Sequence, residues 1–539
     1  MLRNKMKMKK YISALATAAV LLSLSSCNDW LKEESPGTTE LSDYFTSGAT
    51  AIQTITGCYS PLGWEYNETY YSEWFFGDIV SDDALKGGQN VSDGADAYDI
   101  DNFKTTAYNT IVLDYYRAKY MGISRCNLAL QEVPDVEADD DMTEERRDCL
   151  LGEAYFLRAF YYFQLVRIFG GVPLVDFVID SSAEWKQDRA TVDEVYELIF
   201  SDLQMAYELL WNKDEYDDED LGRATKGAAV AMLCKAYLYH GDYDEAYEWG
   251  QVFVDEMYNT GDYSLCPTYS DNFTLDGENG PESVFEIQYV EDEMSDYGEG
   301  NGFTRGTFTT ILVRPRSTNL GTKAGWGWDH PTQNLYDEFE DGDPRRDVAI
   351  ALPDEDEWDN EELNYLGSLY YNNKYAYSEG GTWPALAHAS RAPLNYKLIR
   401  ASDVLLLYAE AALESGRSTT NAKWALEEVR SRARANADDS SALPEFPNYN
   451  DYTDSEEDLR AAIRHERRVE LAMEGHRWFD LVRWGIAYEV MDKDTGTYGS
   501  TETDEARAEM ATFVEGKHEL FPIPAEEINL NPMEQNPGY

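Results

Sequence analysis

Positive charge is scarce in this 539-residue chain. Its 45 lysine and arginine residues face 102 aspartate and glutamate residues, which gives a formal net charge of −57 at pH 7. Such a surface repels phosphates and carboxylates, which argues against nucleic acids and strongly anionic polysaccharides as ligands. It also argues against a basic patch that docks on anionic lipid. A hydrophobic fraction of 43% with 13 tryptophans excludes disorder.

Cysteine is scarce as well. Five cysteines follow residue 27, and no two of them form a C-x-x-C pair. An odd number without paired spacing indicates neither a disulfide framework nor a zinc site. We expect these five to be small buried residues of the core. They are Cys58, Cys126, Cys149, Cys234 and Cys266.

Metal-binding patterns are limited to one acidic run at residues 354–362. Clustered carboxylate oxygens suit calcium, but this run lacks the glycine and the alternation of an EF-hand loop. We interpret it as a solvated acidic loop. The sequence therefore predicts no cofactor and no bound metal.

The apolar run near the start of the chain, residues 11–24, is too short to cross a bilayer as a helix, which takes about 20 residues. Five basic residues and no acid precede it, as in a secretory signal. The run ends in Leu24-Ser25-Ser26-Cys27, which resembles a bacterial lipobox, where the cysteine is acylated and becomes the mature N-terminus. We expect a lipoprotein signal peptide at residues 1–26 and a lipidated tether at residues 27–38. An ordinary signal peptide that contains a cysteine by chance is the alternative.

No segment rich in proline, glycine and serine divides the rest of the chain, so residues 39–539 read as a single unit. Apolar residues at helical spacing dominate it, and Thr191 to Glu194 has the form of a capping box at a helix start. The other predicted helices are 144–169, 224–240, 244–257, 402–415, 420–434 and 459–475. Residues 301–383 lack periodicity and predict long loops with a few short strands, such as 283–289 just before them.

The helix pair around Gly241 resembles a tetratricopeptide repeat. Gly250 and Phe253 depart from the repeat pattern, so the repeat is degenerate. Such pairs cannot bury their apolar faces alone and must stack. The predicted fold class is therefore mostly α, with stacked tetratricopeptide-like helix pairs and a large irregular, loop-rich region. The residues that carry the likeness are Leu233, Tyr237, Gly241, Tyr243 and Ala246.

Five sequence blocks together resemble the SusD/RagB family, in family order and over the whole mature chain. The first is EAYFLRAFYY at 153–162 with RIFGGVPL at 167–174, and the second is GRATKGA at 222–228. The third is LIR at 398–400 with DVLLLYAEA at 403–411. The fourth is HERRVEL at 465–471 with EGHRWFDL at 474–481 and RWG at 483–485. The last is FPIPAEEI at 521–528 with the closing NLNPMEQNPGY.

This resemblance implies a surface lipoprotein of Bacteroidota, held in the outer membrane by lipid and facing the cell exterior. Members of the family partner a TonB-dependent, SusC-like transporter, capture a nutrient that is usually a glycan, and are generally not enzymes. The resemblance also implies an N-terminal SusD-like part at about 39–260 and a C-terminal SusD/RagB part at about 261–539.

The last long predicted helix places Glu466 within an apolar stripe, where a carboxylate must be paired. The available cations are Arg400, Arg158 and Arg467, and we expect buried ion pairs that join helices. A catalytic interpretation would make Glu466 or Glu470 a general acid beside a histidine. The zinc motif H-E-x-x-H is absent here, because Val469 takes the place of the second histidine.

Ligand contacts are best sought among exposed aromatic side chains, because a flat ring suits the apolar face of a sugar. Three segments outside the helices combine aromatic and polar residues: 64–74, 324–330 and 371–383. Glycines beside Trp326 and Trp328 would let those rings stand clear of the backbone, although such rings can also pack loops onto the core. The predicted ligand-binding residues are Trp64, Tyr70, Tyr71, Trp74, Trp326, Trp328, Tyr377 and Trp383.

The favoured function is non-catalytic binding of an oligo- or polysaccharide at the cell surface and its delivery to the partner transporter. A peptide-binding member of the same family is one alternative, since the family resemblance does not separate glycan from peptide. A surface glycoside hydrolase is another, and it would require a pair of carboxylates in the irregular region.

Overall fold

The computed structural model describes residues 44–67, 69–182, 184–291, 305–316, 324–352, 368, 370–376, 386, 391–498 and 504–539. The predicted signal peptide, Cys27 and the tether lie outside the described residues. So do Tyr377, Trp383 and the acidic run at 354–362.

Helices form most of the described chain, which confirms the predicted fold class. The first eight are α1 (Gly48–Tyr59), α2 (Trp74–Gly77), α3 (Ala95–Asp101), α4 (Thr110–Glu132), α5 (Glu144–Phe169), α6 (Val192–Leu209), α7 (Lys226–His240) and α8 (Tyr243–Phe253). The next five are α9 (Thr309–Val313), α10 (Gln333–Glu338), α11 (Pro344–Ala349), α12 (Ala401–Glu414) and α13 (Thr419–Asn436). The last five are α14 (Glu456–Glu470), α15 (Arg477–Arg483), α16 (Ala487–Met491), α17 (Asp504–Glu509) and α18 (Ala525–Leu530).

The strands pair antiparallel in four small sheets. They are β1 (Tyr66–Asn67) with β2 (Thr69–Tyr70), β3 (Ala84–Gly87) with β5 (Trp328–Pro331), β4 (Ser283–Ile287) with β8 (Tyr396–Arg400), and β6 (Ile350–Ala351) with β7 (Tyr371–Asn372). Two of these pairs, β3 with β5 and β4 with β8, join segments more than 100 positions apart in sequence. The sheets therefore fasten the irregular region to the helices.

The long helices form one continuous stack. Helix α4 packs on α5, α5 on α6, α6 on α7, α7 on α8, α8 on α12, and α12 on α13. Central helices α7 and α12 are buried on every side over most of their length. Gly250 of α8 lies where an added Cβ would be 2.7 Å from Cδ2 of Tyr408, so the glycine allows close packing of α8 on α12. This contact accounts for the departure from the repeat pattern at Gly250.

Local signals set several helix ends as predicted. Helix α5 spans the predicted residues, with Thr143 as its N-cap and Gly170 as its C-cap. The capping box of Thr191 and Glu194 is present at the start of α6. All five cysteines that follow residue 27 are buried and unpaired, as expected. In contrast to the predicted single apolar face, α5 is buried on nearly all sides because helices and strands surround it.

Helix α14 ends at Glu470, five residues before the predicted end. Met473 and Gly475 have φ angles of 62° and 76°, which an α-helix cannot contain. The backbone N–H of Gly475 donates to both carboxylate oxygens of Asp78 at 3.0 Å. An added Cβ on Gly77 would lie 2.1 Å from the carbonyl oxygen of Gly475. Helix α14 therefore ends here, and the residues that follow it pack against the end of α2.

Charged side chains are buried along the last turns of α14, and we call His465, Glu466, Arg467, Arg468 and Glu470 the charge cluster. Together the members bind several different parts of the fold. The partners are Glu338 for His465; Arg345 and Arg430 for Glu466; Asp403 and Asp480 for Arg467; Asp82 and Asp83 for Arg468; and Arg345, Arg400 and Arg432 for Glu470. The charge cluster thereby ties α14 to β8, α10, α11, α12, α13 and α15.

The expectation of buried ion pairs is confirmed, but the cations named for Glu466 are wrong. Arg345 Nη1 lies 2.5 Å and Arg430 Nη1 lies 3.1 Å from the carboxylate of Glu466. The three named arginines pair elsewhere: Arg400 with Glu282, Glu470 and Glu474, Arg158 with Asp202, and Arg467 with Asp403 and Asp480. Both carboxylate oxygens of Glu466 and of Glu470 pair with arginine, so neither carboxyl group is placed as a catalytic acid.

The substitution Glu470→Gln should strongly destabilise the fold. Burial opposes ionisation of Glu470, but Arg432, Arg400 and Arg345 outweigh it and hold the pKa of this carboxyl well below its usual range. Loss of the negative charge leaves buried arginines partly uncompensated, which costs about 3–5 kcal/mol in comparable sites. Chemical denaturation would measure this cost. Glu248→Gln is the matched control, because Glu248 pairs with Arg417 on the exposed surface and its loss should leave the midpoint unchanged. Equal midpoints for the two variants would contradict this account of the charge cluster.

The unfolding free energy should also depend on the protonation of His465. Burial lowers the pKa of this imidazole, but hydrogen bonds to Glu338 and Glu340 and the charges of Glu338 and Glu466 raise it to about 9. The folded state therefore keeps a proton that the unfolded state loses above about pH 6.5. Stability from this group is complete below pH 6.5 and disappears as the pH rises through 9, by an amount on the order of 3 kcal/mol.

His465→Gln should flatten this part of the pH dependence. The measurement is the unfolding free energy as a function of pH. The difference in slope between wild type and variant separates the contribution of His465 from that of other groups that titrate in the same range. His240→Gln is the comparison, because His240 is partly exposed and its hydrogen bonds to Asp242 and Asp193 also raise its pKa, against the effect of burial, so its replacement should flatten the slope less. An unchanged slope in His465→Gln would show that the imidazole is neutral in the folded protein.

Candidate ligand-binding site

Aromatic side chains gather where the β1–β2 hairpin meets the segment before β5. The ring of Tyr70 contacts that of Trp326 edge to face, with centroids 5.2 Å apart and an interplanar angle of 89°. Tyr66 lies against Tyr70 at 4.9 Å. All three are partly buried, and Phe308 and Trp328 lie buried against them. We call Tyr66, Tyr70 and Trp326 the aromatic platform.

One buried carboxylate fixes the platform to the rest of the protein. Glu65 accepts hydrogen bonds from the Thr307 hydroxyl at 2.7 Å and from the Phe308 backbone N–H at 2.6 Å. Its other oxygen accepts from the hydroxyls of Thr309 and Ser72. Burial raises the pKa of Glu65, although these donors counteract part of the shift. The hairpin segment and segment 307–309 are thus joined through a single side chain.

The backbone around Trp326 is held by the end of α9. The N–H groups of Gly325, Trp326 and Gly327 donate to the carbonyls of Pro315, Ile311 and Arg314 at 2.7–2.9 Å. An added Cβ on Gly325 would lie 2.4 Å from the carbonyl oxygen of Ile311. The predicted role of the glycines is therefore wrong for Gly325, which is needed for close backbone packing and not to free the indole ring.

An exposed polar loop, residues 89–92, borders the platform. Arg316 binds the carboxylate of Asp93 at 2.8 Å and also donates to the carbonyl of Trp326 at 3.0 Å. The backbone N–H of Gln89 donates to Asp93 at 2.8 Å. These bonds tie the loop to the backbone of Trp326 through Arg316 and Asp93, and we call residues 89–92 with Asp93 and Arg316 the polar rim.

Lys86 links the polar rim to the buried ring of Trp328. Its ammonium lies 4.3 Å from the ring centroid of Trp328 and donates to the backbone carbonyl of Asp93. Burial lowers the pKa of Lys86 to about 8, with Asp93 acting in the opposite direction. An added Cβ on Gly94 would lie 2.6 Å from the Trp328 indole, so the glycine lets the loop cross the ring.

The structure brings only part of the predicted ligand-binding set to the surface. The expectation of exposed rings is wrong for Trp64, Tyr71, Trp74 and Trp328, whose exposed fractions are 7%, 2%, 1% and 3%. Tyr70 and Trp326 lie together on the platform. Tyr377 and Trp383 lie outside the described residues. Ligand contact by any of the eight stays a prediction.

Trp74 shows why the buried rings cannot serve as stacking surfaces. Its indole N–H donates to the hydroxyl of Thr309 at 3.0 Å, and its ring stacks on Phe75 at 4.1 Å. Thr309 in turn donates to Glu65. Trp74 therefore acts as a buried support for the segment beneath the platform.

Three residues that the structure places at the platform or its rim are not among the predicted ligand-binding residues: Tyr66, Asp93 and Arg316. Tyr66 lies in the predicted aromatic segment 64–74, so that segment was enough to predict its role. Asp93 and Arg316 are 223 positions apart, and no local pattern links them. Contact between them depends on the pairing of β3 with β5.

Among the described residues, no group of three or more histidine, cysteine, aspartate or glutamate side chains could hold a metal ion. Within the same ranges, no helix has both the length and the apolar character that crossing a membrane requires.

Stacked tetratricopeptide-like helices that carry an aromatic platform with a polar rim define a class of helical binding protein. Two family models match the chain. One, described as "Starch-binding associating with outer membrane", matches residues 29–238, and the other, described as "SusD family", matches residues 359–539. The chain belongs to the SusD family.

Known relatives agree over nearly the full length. SusD-like protein P2 of Formosa agariphila is 28% identical over 556 residues, covering 99% of this chain and 100% of the relative. A solved laminarin-binding SusD-like protein is 28% identical with a TM-score of 0.75, covering 92% of this chain and 100% of that one. Surface glycan-binding protein A from Bacteroides uniformis is 25% identical with a TM-score of 0.73, covering 90% and 99%.

The substitution Glu65→Gln should loosen the platform. The amide nitrogen of glutamine would then face hydrogen-bond donors that now bind a carboxylate oxygen. We expect this to lower the unfolding free energy by about 1–3 kcal/mol. We expect faster hydrogen exchange at the backbone amide of Phe308 and across the β1–β2 hairpin. Glu132→Gln, at the far end of α4, is the control and should leave both unchanged. Unchanged exchange at Phe308 in Glu65→Gln would contradict the role given to this carboxylate.

Proposed function

We propose that this protein binds a nutrient glycan at the cell surface without catalysis and delivers it to a TonB-dependent, SusC-like transporter of the outer membrane. The observation that carries this proposal is the aromatic platform of Tyr66, Tyr70 and Trp326 beside a polar loop. Aromatic rings match the apolar C–H face of a sugar, and the polar rim matches its hydroxyls.

The relatives support a glycan as the ligand class. One is named for laminarin binding and another as a surface glycan-binding protein. The net charge of −57 favours a neutral glycan over an anionic one. The described part of the platform is also rigidly supported from below, as binding by preorganised ring stacking requires.

The carboxylates near the platform support binding without catalysis. Glu65 is buried and accepts four hydrogen bonds. Asp93 binds Arg316 and the backbone N–H of Gln89. A glycosidase needs one carboxyl group free to donate a proton and a second placed about 5–9.5 Å from it. Glu65 and Asp93 are instead used to hold the platform in place.

The proposal also includes a lipid anchor at Cys27 and a partner transporter in the outer membrane. Acylation of Cys27 would hold the protein on the outer membrane, where each buried methylene contributes about 0.8 kcal/mol. A lipid anchor next to the transporter raises the effective concentration of the bound glycan, so modest affinity suffices for transfer. Replacing Cys27 should release the protein from membranes, and co-purification from membranes of its source organism would identify the transporter.

Trp326→Ala should weaken glycan binding about tenfold, because one stacking surface is lost, equivalent to about 1.4 kcal/mol. The measurement is affinity electrophoresis through gels cast with laminarin, starch, xylan, galactomannan and pectin, with reducing ends counted in parallel. Trp185→Ala is the matched control, since Trp185 is 69% exposed and has no part in the platform.

Retardation that Trp326→Ala reduces and Trp185→Ala leaves intact would support the proposal. New reducing ends would contradict non-catalytic binding and favour a glycoside hydrolase. No retardation on any polysaccharide would contradict the glycan ligand, and binding of a peptide library would then favour the peptide-binding alternative.

A further inference from the structure

A second concave surface lies next to the platform and takes no part in it. This cleft has a volume of about 560 Å³, within the range of small-molecule binding sites. Its walls are the end of α1 with the turn that follows, the loop at residues 219–223, and the chain at residues 286–290 with Arg305. We call it the Trp64 cleft, because this indole belongs to its wall.

Buried contacts hold the polar groups of the cleft in place. The guanidinium of Arg223 binds Glu153 at 2.9 Å and the Thr56 hydroxyl at 3.1 Å. The hydroxyl of Tyr59 donates to the same Glu153 at 2.8 Å. Since Glu153 is fully buried, its two partners are fixed to the core while they line the cleft.

The loop that closes one side of the cleft depends on a glycine. Gly222 has a φ angle of 89°, and an added Cβ would lie 2.4 Å from Cδ of Gln288. The side chain of Gln288 is oriented by hydrogen bonds with Asn279 and Asn395 at 2.9–3.0 Å. Its nitrogen also donates to the carbonyl of Glu286 at 3.2 Å, so the amide uses both donor and both acceptor positions within the protein and forms a fixed wall of the cleft.

The cleft and the platform are neighbours along two chain segments. Trp64 lines the cleft and Tyr66 belongs to the platform, with Glu65 between them. Arg305 lines the cleft, and Phe308 lies beneath the platform. Extended chain advances about 3.3 Å per residue, so Trp64 and Tyr66 lie roughly 7 Å apart along the backbone. The cleft and the platform are therefore bordered by the same two short chain segments.

We propose that the Trp64 cleft is a second subsite for the same glycan chain, so that the protein selects extended neutral oligosaccharides. This inference rests on the proposed function. The carboxylate of Glu219 lines the cleft and would repel an acidic sugar. Asp220 and Arg223 also line it, but they pair with each other, and Asp220 also pairs with Arg146 and Arg223 with Glu153.

The test compares chain lengths. Oligosaccharides of three and six sugar units are prepared from whichever polysaccharide of the gel panel the wild-type protein retains, and their affinities are measured by calorimetry. We expect the six-unit chain to bind wild type at least about tenfold more tightly than the three-unit chain. In Gln288→Ala and in Leu221→Trp, which narrows the cleft from an exposed position, the affinity for six units should fall about fivefold or more. Their affinity for three units should stay unchanged.

Two further variants separate this inference from the proposed function. Gln131→Ala removes an exposed amide that lines neither surface and should change neither affinity. Trp326→Ala should weaken both chain lengths. If Trp326→Ala weakens binding while the two cleft variants do not, the second subsite is wrong and the proposed function stands. Equal affinity of wild type for three and six units would also overturn the inference. Retention of no panel polysaccharide by wild type would overturn both.

Discussion

Opposite charges buried along one helix hold this fold together. The charge cluster of α14 reaches arginines or carboxylates on six other elements, so helices distant in sequence are fixed relative to one another. Isolated buried charges would be costly, and here nearly every one has two or three partners of opposite sign. An acidic protein thus keeps many of its scarce cations inside, where they neutralise carboxylates that would otherwise repel each other.

The same cluster reaches the binding surface by a short route. Arg468 binds Asp82 and Asp83, and these residues lead directly into β3. Strand β3 pairs with β5, which begins at Trp328 beneath the platform. Only a few residues therefore connect the helical stack to the aromatic rings, and they hold the rings in place. This arrangement lets irregular loops present a fixed surface.

Local features of this fold were predictable, and long-range partners were not. Thr191 and Gly170 set helix ends through bonds within a few residues, so the sequence pattern was enough to predict the start of α6 and the end of α5. Arg345 lies 121 positions from Glu466, and nothing in either neighbourhood indicates their pairing. Exposure was equally hard to predict. Trp74 and Trp326 occur in similar aromatic segments, yet a hydrogen bond to Thr309, 235 positions away, accompanies the burial of Trp74.

Glu65 has a consequence for how such a protein can change its ligand. Since this carboxylate binds both segment 64–72 and segment 307–309, the two form one mechanical unit despite a separation of more than 230 residues. Exchanging one segment with that of a relative would leave donors facing the wrong acceptor. Loop grafting that aims at new sugar specificity should therefore transfer both segments together, with the helical stack left as it is.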